Sequence, residues 1–241
     1  GFPNEKATMS TVRGLVKGGV DIIEIGFPFS DPLADGPVIQ NASTVSLESG
    51  TNIAKFFSLV KKIRKETDIP LILMTYTNIL YHKGYGKFIS EAKKAGIDGF
   101  ILPDMSIEES KEYLQAAKNK ADTIFLISPN TGKTRIQKIS KASSGFLYLV
   151  AVFGTTGVKA GIKKYTLDAI KQAKKQTNGK IPIGVGFGVS TPDDVRKYIK
   201  AGADAVIVGS AYLKLIEKTP QDQLESKIAS FTKSLKKQTV L

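Results

Sequence analysis

The run Lys17-Gly-Gly-Val-Asp-Ile-Ile23 returns as Lys94-Ala-Gly-Ile-Asp-Gly-Phe-Ile101 and again as Lys200-Ala-Gly-Ala-Asp-Ala-Val-Ile207. Each copy ends a helix, passes through a glycine suited to a left-handed C-terminal cap (Gly19, Gly96, Gly202), and enters a strand after an aspartate. Helix-to-strand passages this short belong to parallel α/β folds. Working outward, helices are predicted over about Lys6–Lys17, through Ile53, Phe56, Phe57, Val60 and Ile63, and through Phe88, Ile89 and Ala92. Further helices are predicted after a capping box at Ser106-Ile-Glu-Glu109, near Thr134–Ser140, through Leu167, Ile170 and Ala173, after Thr191-Pro-Asp-Asp194, and through Leu224, Ile228, Phe231 and Leu235. Strands are predicted at Asp21–Ile25, Leu71–Tyr76, Gly99–Leu102, Thr123–Ile127, Phe146–Val152, Ile181–Val185 and Ala205–Val208. The expected fold is a TIM (β/α)8 barrel, a single domain over residues 1–241. Seven strands are one short of that barrel, so a first strand and N-terminal helix are expected to be missing ahead of Gly1. An open doubly wound sheet is the alternative.

Composition narrows the class. Hydrophobic content of 41% and charged content of 24% suit a globular domain. There is no cysteine, which removes disulfides, thiolate nucleophiles and cysteine metal sites, and a cytoplasmic location is expected. No apolar run approaches the roughly 18 residues of a membrane span, and no membrane partner is expected. The net charge of +13 is carried by lysines spread along helices, as in Lys61-Lys62, Lys93-Lys94, Lys174-Lys175 and Lys236-Lys237. That spacing reads as a solvated basic surface suited to attracting an anionic small molecule, and no nucleic-acid partner is expected.

The chemistry-bearing stretch is Glu24-Ile-Gly-Phe-Pro-Phe-Ser-Asp-Pro-Leu-Ala-Asp-Gly-Pro-Val-Ile-Gln40. A glutamate inside Ile-Ile-Glu-Ile is either a strand-end charge that reaches water or a lysine, or a desolvated acid/base at a pocket mouth. Asp31 and Asp35 follow in a loop stiffened by Pro28, Pro32 and Pro37. At the other end of the chain, Gly184-Val-Gly-Phe-Gly188 and Gly209-Ser210 terminate consecutive strands, where backbone N–H groups suit a phosphate. The one histidine, His82, reads as a solvent-facing loop residue, which leaves no histidine triad or metal cluster. No lysine lies inside a predicted strand, and the dinucleotide fingerprint is absent. Acid/base chemistry on a phosphorylated small molecule, with no cofactor in this chain, is the expectation that remains.

The motifs resemble those of the tryptophan synthase alpha subunit family. The resemblance is carried by Pro28-Phe-Ser-Asp-Pro-Leu-Ala-Asp-Gly-Pro37 with Glu24 ahead of it, Met74-Thr-Tyr-Thr-Asn78, Tyr148 before Gly154-Thr-Thr-Gly157, Val185-Gly-Phe-Gly188 and Val208-Gly-Ser210. It spans nearly the whole chain. It implies retro-aldol cleavage of indole-3-glycerol phosphate to indole and glyceraldehyde 3-phosphate, in tryptophan biosynthesis.

By the same resemblance Glu24 is the acid/base, Asp35 binds the indole N–H, and Tyr148 orients the glutamate. Ile22, Ile23, Ile25 and Phe27 are expected to supply the apolar setting of Glu24. Tyr76, Met74 and Ile101 match the pocket wall. Gly157, Gly188, Gly209 and Ser210 match phosphate-binding positions, Gly186 and Phe187 match other substrate-binding positions, and Thr156 matches a threonine of a closing loop. Asp31, Pro32 and Asp104 match the face that meets a pyridoxal-phosphate-dependent beta subunit in an alpha2beta2 assembly. Phe146, Val152 and Phe153 depart from the family's more polar residues. Two rivals stand beside this reading: another phosphate-barrel isomerase or aldolase, and a weakly active alpha-like subunit that serves to activate its partner.

Overall fold

A computed structural model describes residues 1–151, 164–186 and 188–240. Its strands are β1 (Ile23–Gly26), β2 (Leu71–Met74), β3 (Gly99–Ile101), β4 (Asp122–Ile124), β5 (Leu126–Ile127), β6 (Leu147–Val150), β7 (Ile183–Gly186) and β8 (Ala205–Val206). All pairings are parallel, in the orders β1-β2-β3-β4 and β5-β6-β7-β8. Because β4 and β5 are separated by Phe125 alone, one passage of chain joins the two sheets into a continuous arc. That arc has the seven strand positions expected from the sequence. Among the described residues β1 and β8 are its two edges.

Helices cover the outside of the arc: α1 (Glu5–Gly18), α2 (Pro37–Glu48), α3 (Ile53–Arg64), α4 (Thr77–Lys83), α5 (Tyr85–Ala95), α6 (Lys111–Ala117), α7 (Lys133–Ala142), α8 (Lys164–Thr177), α9 (Pro192–Lys200), α10 (Ser210–Lys218) and α11 (Leu224–Lys236). Local chemistry fixes their ends. Asn4 caps α1 by accepting from the Ala7 N–H at 2.9 Å, and Gly19 closes it at φ 84°. Thr191 and Asp194 form a reciprocal capping box at α9. The Ser106 hydroxyl accepts from the Glu109 N–H at 3.3 Å and donates to the Glu109 carboxylate at 2.8 Å, but these contacts open a run of turns and the helix itself begins at Lys111.

The sequence repeat has a structural purpose. Asp98 accepts from the Leu71 N–H at 3.0 Å, and Asp204 from the Ile183 N–H at 2.8 Å. In both copies the aspartate after the glycine cap holds the first N–H of the preceding strand, which fixes where that strand begins. Asp98 is in turn held by Arg64 at 2.6 Å and Asp204 by Lys174 at 2.7 Å. The third copy differs, since Asp21 binds Lys236 at 2.5 Å.

Three helices were not expected from the sequence. Residues beyond Pro37 form α2, His82 sits in the last turn of α4 rather than in a loop, and Ser210 opens α10. Strand Leu71–Tyr76 is correspondingly shorter, since Tyr76 is the N-cap of α4.

The apolar residues split into two layers. Residues such as Phe56, Phe57, Val60, Ile63, Leu71, Leu73, Phe88 and Phe100 fill the space between arc and helices. Ile72, Ile101, Ile124, Phe146 and Tyr148, with Met74, Leu126, Val150 and Ile207, fill the concave side. The alternation follows from the two-residue period of a strand. Each fully buried large apolar side chain contributes about 1.5–3 kcal/mol, so the outer layer dominates the stability of the fold.

Candidate active site

Alternation also decides the orientation of Glu24. Ile23 and Ile25 are buried beneath the helices, which leaves Ile22, Glu24 and Gly26 on the concave side. Glu24 is in register with Ile72 of β2, whose side chain belongs to the concave layer. The expected apolar setting therefore exists: Ile22, Ile23, Ile25 and Phe27 line the same cavity as Glu24, joined by Ile72, although Ile23 and Ile25 also pack into the outer layer. The glutamate lines a cavity of about 1230 Å³ together with Asp35, Met74, Tyr76 and Ile101. Its side chain is open to that cavity, while the enclosing wall pushes its pKa up to about 7. Loss of bulk hydration is the larger cause and the negative charge of Asp35 the smaller. Filling the cavity with an apolar ring would remove the remaining water and press the carboxyl further towards its neutral form.

Asp35 is reached by a different route. The loop after β1 turns at Pro32, with the Asp35 N–H on the Pro32 carbonyl at 3.0 Å and the Gln40 side chain on the Asp35 carbonyl at 2.9 Å. Asp35 is 5% exposed. Its Oδ2 accepts from the Tyr76 hydroxyl at 2.9 Å, whereas Oδ1 is buried with no hydrogen-bond partner. Burial raises the Asp35 pKa and the tyrosine hydrogen bond pulls it back. A buried acceptor without a donor is costly, and a ligand N–H would remove that cost.

Tyr148 stands in the concave layer, and burial together with the Glu24 and Asp35 charges holds its pKa well above the usual tyrosine value. It is thus a neutral hydroxyl beside two carboxyls. Space for it comes from β7, because a Cβ on Gly186 would collide with the Tyr148 hydroxyl and ring. Gly184 likewise accommodates the ring of Phe146, whose apolar side chain belongs in this layer.

The remaining residues fall into three groups. Gly209 lines the cavity and precedes Ser210, the first residue of α10, so this nine-residue helix starts beside the site. Gly188 follows β7 at φ 76°, and β7 and β8 are paired, which brings the two glycine loops to the same end of the arc. Asp31 and Asp104 are exposed and Pro32 is half-buried, all outside the cavity lining. Asp31 accepts from its neighbour Ser30 at 2.5 Å, and Asp104 holds the Thr77 N–H at 2.9 Å and the Thr77 hydroxyl at 2.9 Å. Val152, Phe153, Thr156, Gly157 and Phe187 lie outside the described residues.

Sequence reading missed the polar contact of Tyr76, treating the residue as pocket wall. Its hydroxyl also accepts from the Ala34 N–H at 3.0 Å, and its ring stacks on Phe29 at 5.0 Å. A signal was present in the tyrosine itself, since a buried phenol nearly always finds a partner. Among the described residues no cluster of three or more metal-binding side chains occurs, and no helix is long and apolar enough to cross a membrane.

Comparison with known proteins agrees with this geometry. A family model described as tryptophan synthase alpha chain matches residues 1–240. The tryptophan synthase alpha chain of Petrotoga mobilis is 41% identical over 239 residues, covering 98% of this chain and 92% of its own. That of Methanosarcina acetivorans is 44% identical over 218 residues, covering 90% and 78%. A mutant tryptophan synthase alpha-subunit structure from Pyrococcus furiosus superposes with a TM-score of 0.89 at 34% identity, covering 98% of this chain and 94% of that one. A structure of the tryptophan synthase a2b2 complex from the same organism gives 0.89 at 33%, covering 98% and 93%. This chain belongs to the tryptophan synthase alpha chain family.

Proposed function

We propose that this chain is a carbon–carbon lyase that cleaves indole-3-glycerol phosphate to indole and glyceraldehyde 3-phosphate in tryptophan biosynthesis. The observation that carries the residue-level reading is the pairing of two unlike carboxyls on one cavity. Glu24 titrates near neutrality, and Asp35 keeps one buried oxygen without a donor.

The reaction needs a proton delivered to indole C3 and a proton removed from the glycerol hydroxyl next to the breaking bond. The hydroxyl oxygen's electron pair then forms the aldehyde carbonyl, the C–C bond breaks, and its electrons return to the ring. Glu24, with a pKa of about 7, is suited to both transfers near neutral pH. Asp35 would accept the ring N–H and stabilise the positive charge that C3 protonation places on the ring. Tyr148 would donate to the working carboxylate. Gly188, Gly209 and Ser210 would hold the phosphate, joined by Gly157; Gly186 and Phe187 would contact substrate, and Thr156 would belong to the closing loop.

The reading requires no cofactor or metal in this chain. It assigns a beta subunit as partner in an alpha2beta2 assembly, with pyridoxal phosphate in that subunit, and a cytoplasmic location. Asp31, Pro32 and Asp104 are the proposed partner-facing residues, and their exposed or half-buried positions outside the cavity support this.

Indole release from indole-3-glycerol phosphate, with and without a beta subunit, tests the proposal. Glu24→Gln should lower kcat by about 10²–10⁴-fold while substrate still binds. Unchanged turnover would remove Glu24 from the chemistry. Failure of the wild-type protein to cleave, even in complex, would leave an activating subunit in its place.

A further inference from the structure

The two carboxyls are not held in the same way. The Asp35 backbone is pinned on both sides, by its N–H on Pro32 and its carbonyl on Gln40, but those bonds leave the carboxylate free to swivel about its side-chain torsions. Tyr76 removes that freedom. A phenol has one proton; because the Tyr76 oxygen accepts from the Ala34 N–H, that proton goes to Asp35 Oδ2. One hydroxyl therefore grips adjacent residues of the loop at 3.0 and 2.9 Å. With Oδ2 engaged, Oδ1 is the carboxylate oxygen that has no donor.

The tyrosine is itself well anchored. It caps α4, its carbonyl accepts from the Ile79 N–H at 3.1 Å, and the next residue is clamped by Asp104. Phe29, from the same loop as Asp35, stacks on its ring.

We propose that Tyr76 is a positioning residue whose hydroxyl aims Asp35 at the ring N–H, and that it thereby sets the preference for an N–H-bearing ring over an isostere lacking that group. This rests on reading the cavity as an indole site. Removal of the hydroxyl leaves the ring, the stack on Phe29 and the wall of the cavity in place, so shape selection persists while N–H selection weakens.

Binding of indole and of benzofuran, which replaces N–H by a ring oxygen, to the full chain separates the two effects. The wild type should favour indole by roughly 10–100-fold, the usual value of a hydrogen bond to a charged acceptor. In Tyr76→Phe the ratio should fall to about twofold through weaker indole binding, with benzofuran affinity unchanged. A ratio kept at the wild-type value would overturn the positioning role. Parallel loss of both affinities would also overturn it, leaving Tyr76 a structural wall residue. A wild-type ratio near one would overturn the indole reading of Asp35 and this proposal together; the indole-release assay on Glu24→Gln registers that failure independently.

Discussion

At the scale of single residues, Glu24 owes its reactivity to a compromise that also affects stability. In the unfolded chain it ionises like any glutamate, near 4.5, but in the folded protein near 7. Between these values the folded state holds more protons than the unfolded one, so stability falls as pH rises through the window and is level above it. Below about 4.5 Glu24 and glutamine are both neutral and should support similar stability. Above 7 the glutamine variant should be the more stable, by about 1 kcal/mol once water in the cavity has screened the effect, or roughly 2–4 °C in melting temperature. Melting curves of both proteins at pH 4.5 and 8 check this, and equal differences at the two values would deny Glu24 its raised pKa. The anomaly that signals all this, a charge between isoleucines, was legible in the sequence because it violates the strand's pattern. The grip of Tyr76 on Asp35 was not, because it joins residues 41 apart through a loop geometry that no local pattern encodes.

At the scale of elements, the strands and the outer helices followed from periodicity and caps, while α2, α4 and α10 did not. The reason is visible in each. Gly36 and Pro37 read as part of a proline-stiffened loop although proline is at home in a helix's first turn, and α4 is seven residues long, too short to show a period. The serine that opens α10 was read for its phosphate chemistry rather than for the helix behind it. Where a cap is explicit, the outcome is clear: α9 begins at the Thr191–Asp194 box as its sequence predicts. The Thr191 hydroxyl accepts from the Asp194 N–H at 3.2 Å, and the Asp194 carboxylate answers the Thr191 N–H at 2.9 Å. Thr191→Ala should therefore cost about 1 kcal/mol, or roughly 2–4 °C, with Thr191→Ser restoring most of it. Since α9 follows the glycine loop after β7, the same variant should weaken affinity for glycerol phosphate if that loop is the phosphate site. A stability loss with unaltered phosphate affinity would separate the helix from the site.

At the scale of the whole molecule, the dominant facts are a basic surface and a cavity that runs along the inside of the arc. Local acidic groups are mostly engaged in holding elements together, as Asp98 and Asp204 hold strand starts and Glu225 ties α11 to Arg13 of α1. Lysines and arginines outnumber the acids 35 to 22, so a net charge of +13 remains after such pairs are made. Such a field acts at a distance on a phosphorylated substrate and has no purchase on neutral indole. Raising ionic strength from about 0.01 to 0.15 M shortens the screening length from about 30 to 8 Å, which confines the field to contact range. The kcat/KM for indole-3-glycerol phosphate should then fall by roughly tenfold, while the dissociation constant of indole stays constant. A rate constant indifferent to salt would mean that the lysines serve solubility alone and that the glycine loops capture the phosphate unaided. An equal loss for indole would point to a salt effect on the cavity itself, and neither result would touch the assignment of Glu24 and Asp35, whose chemistry takes place inside it.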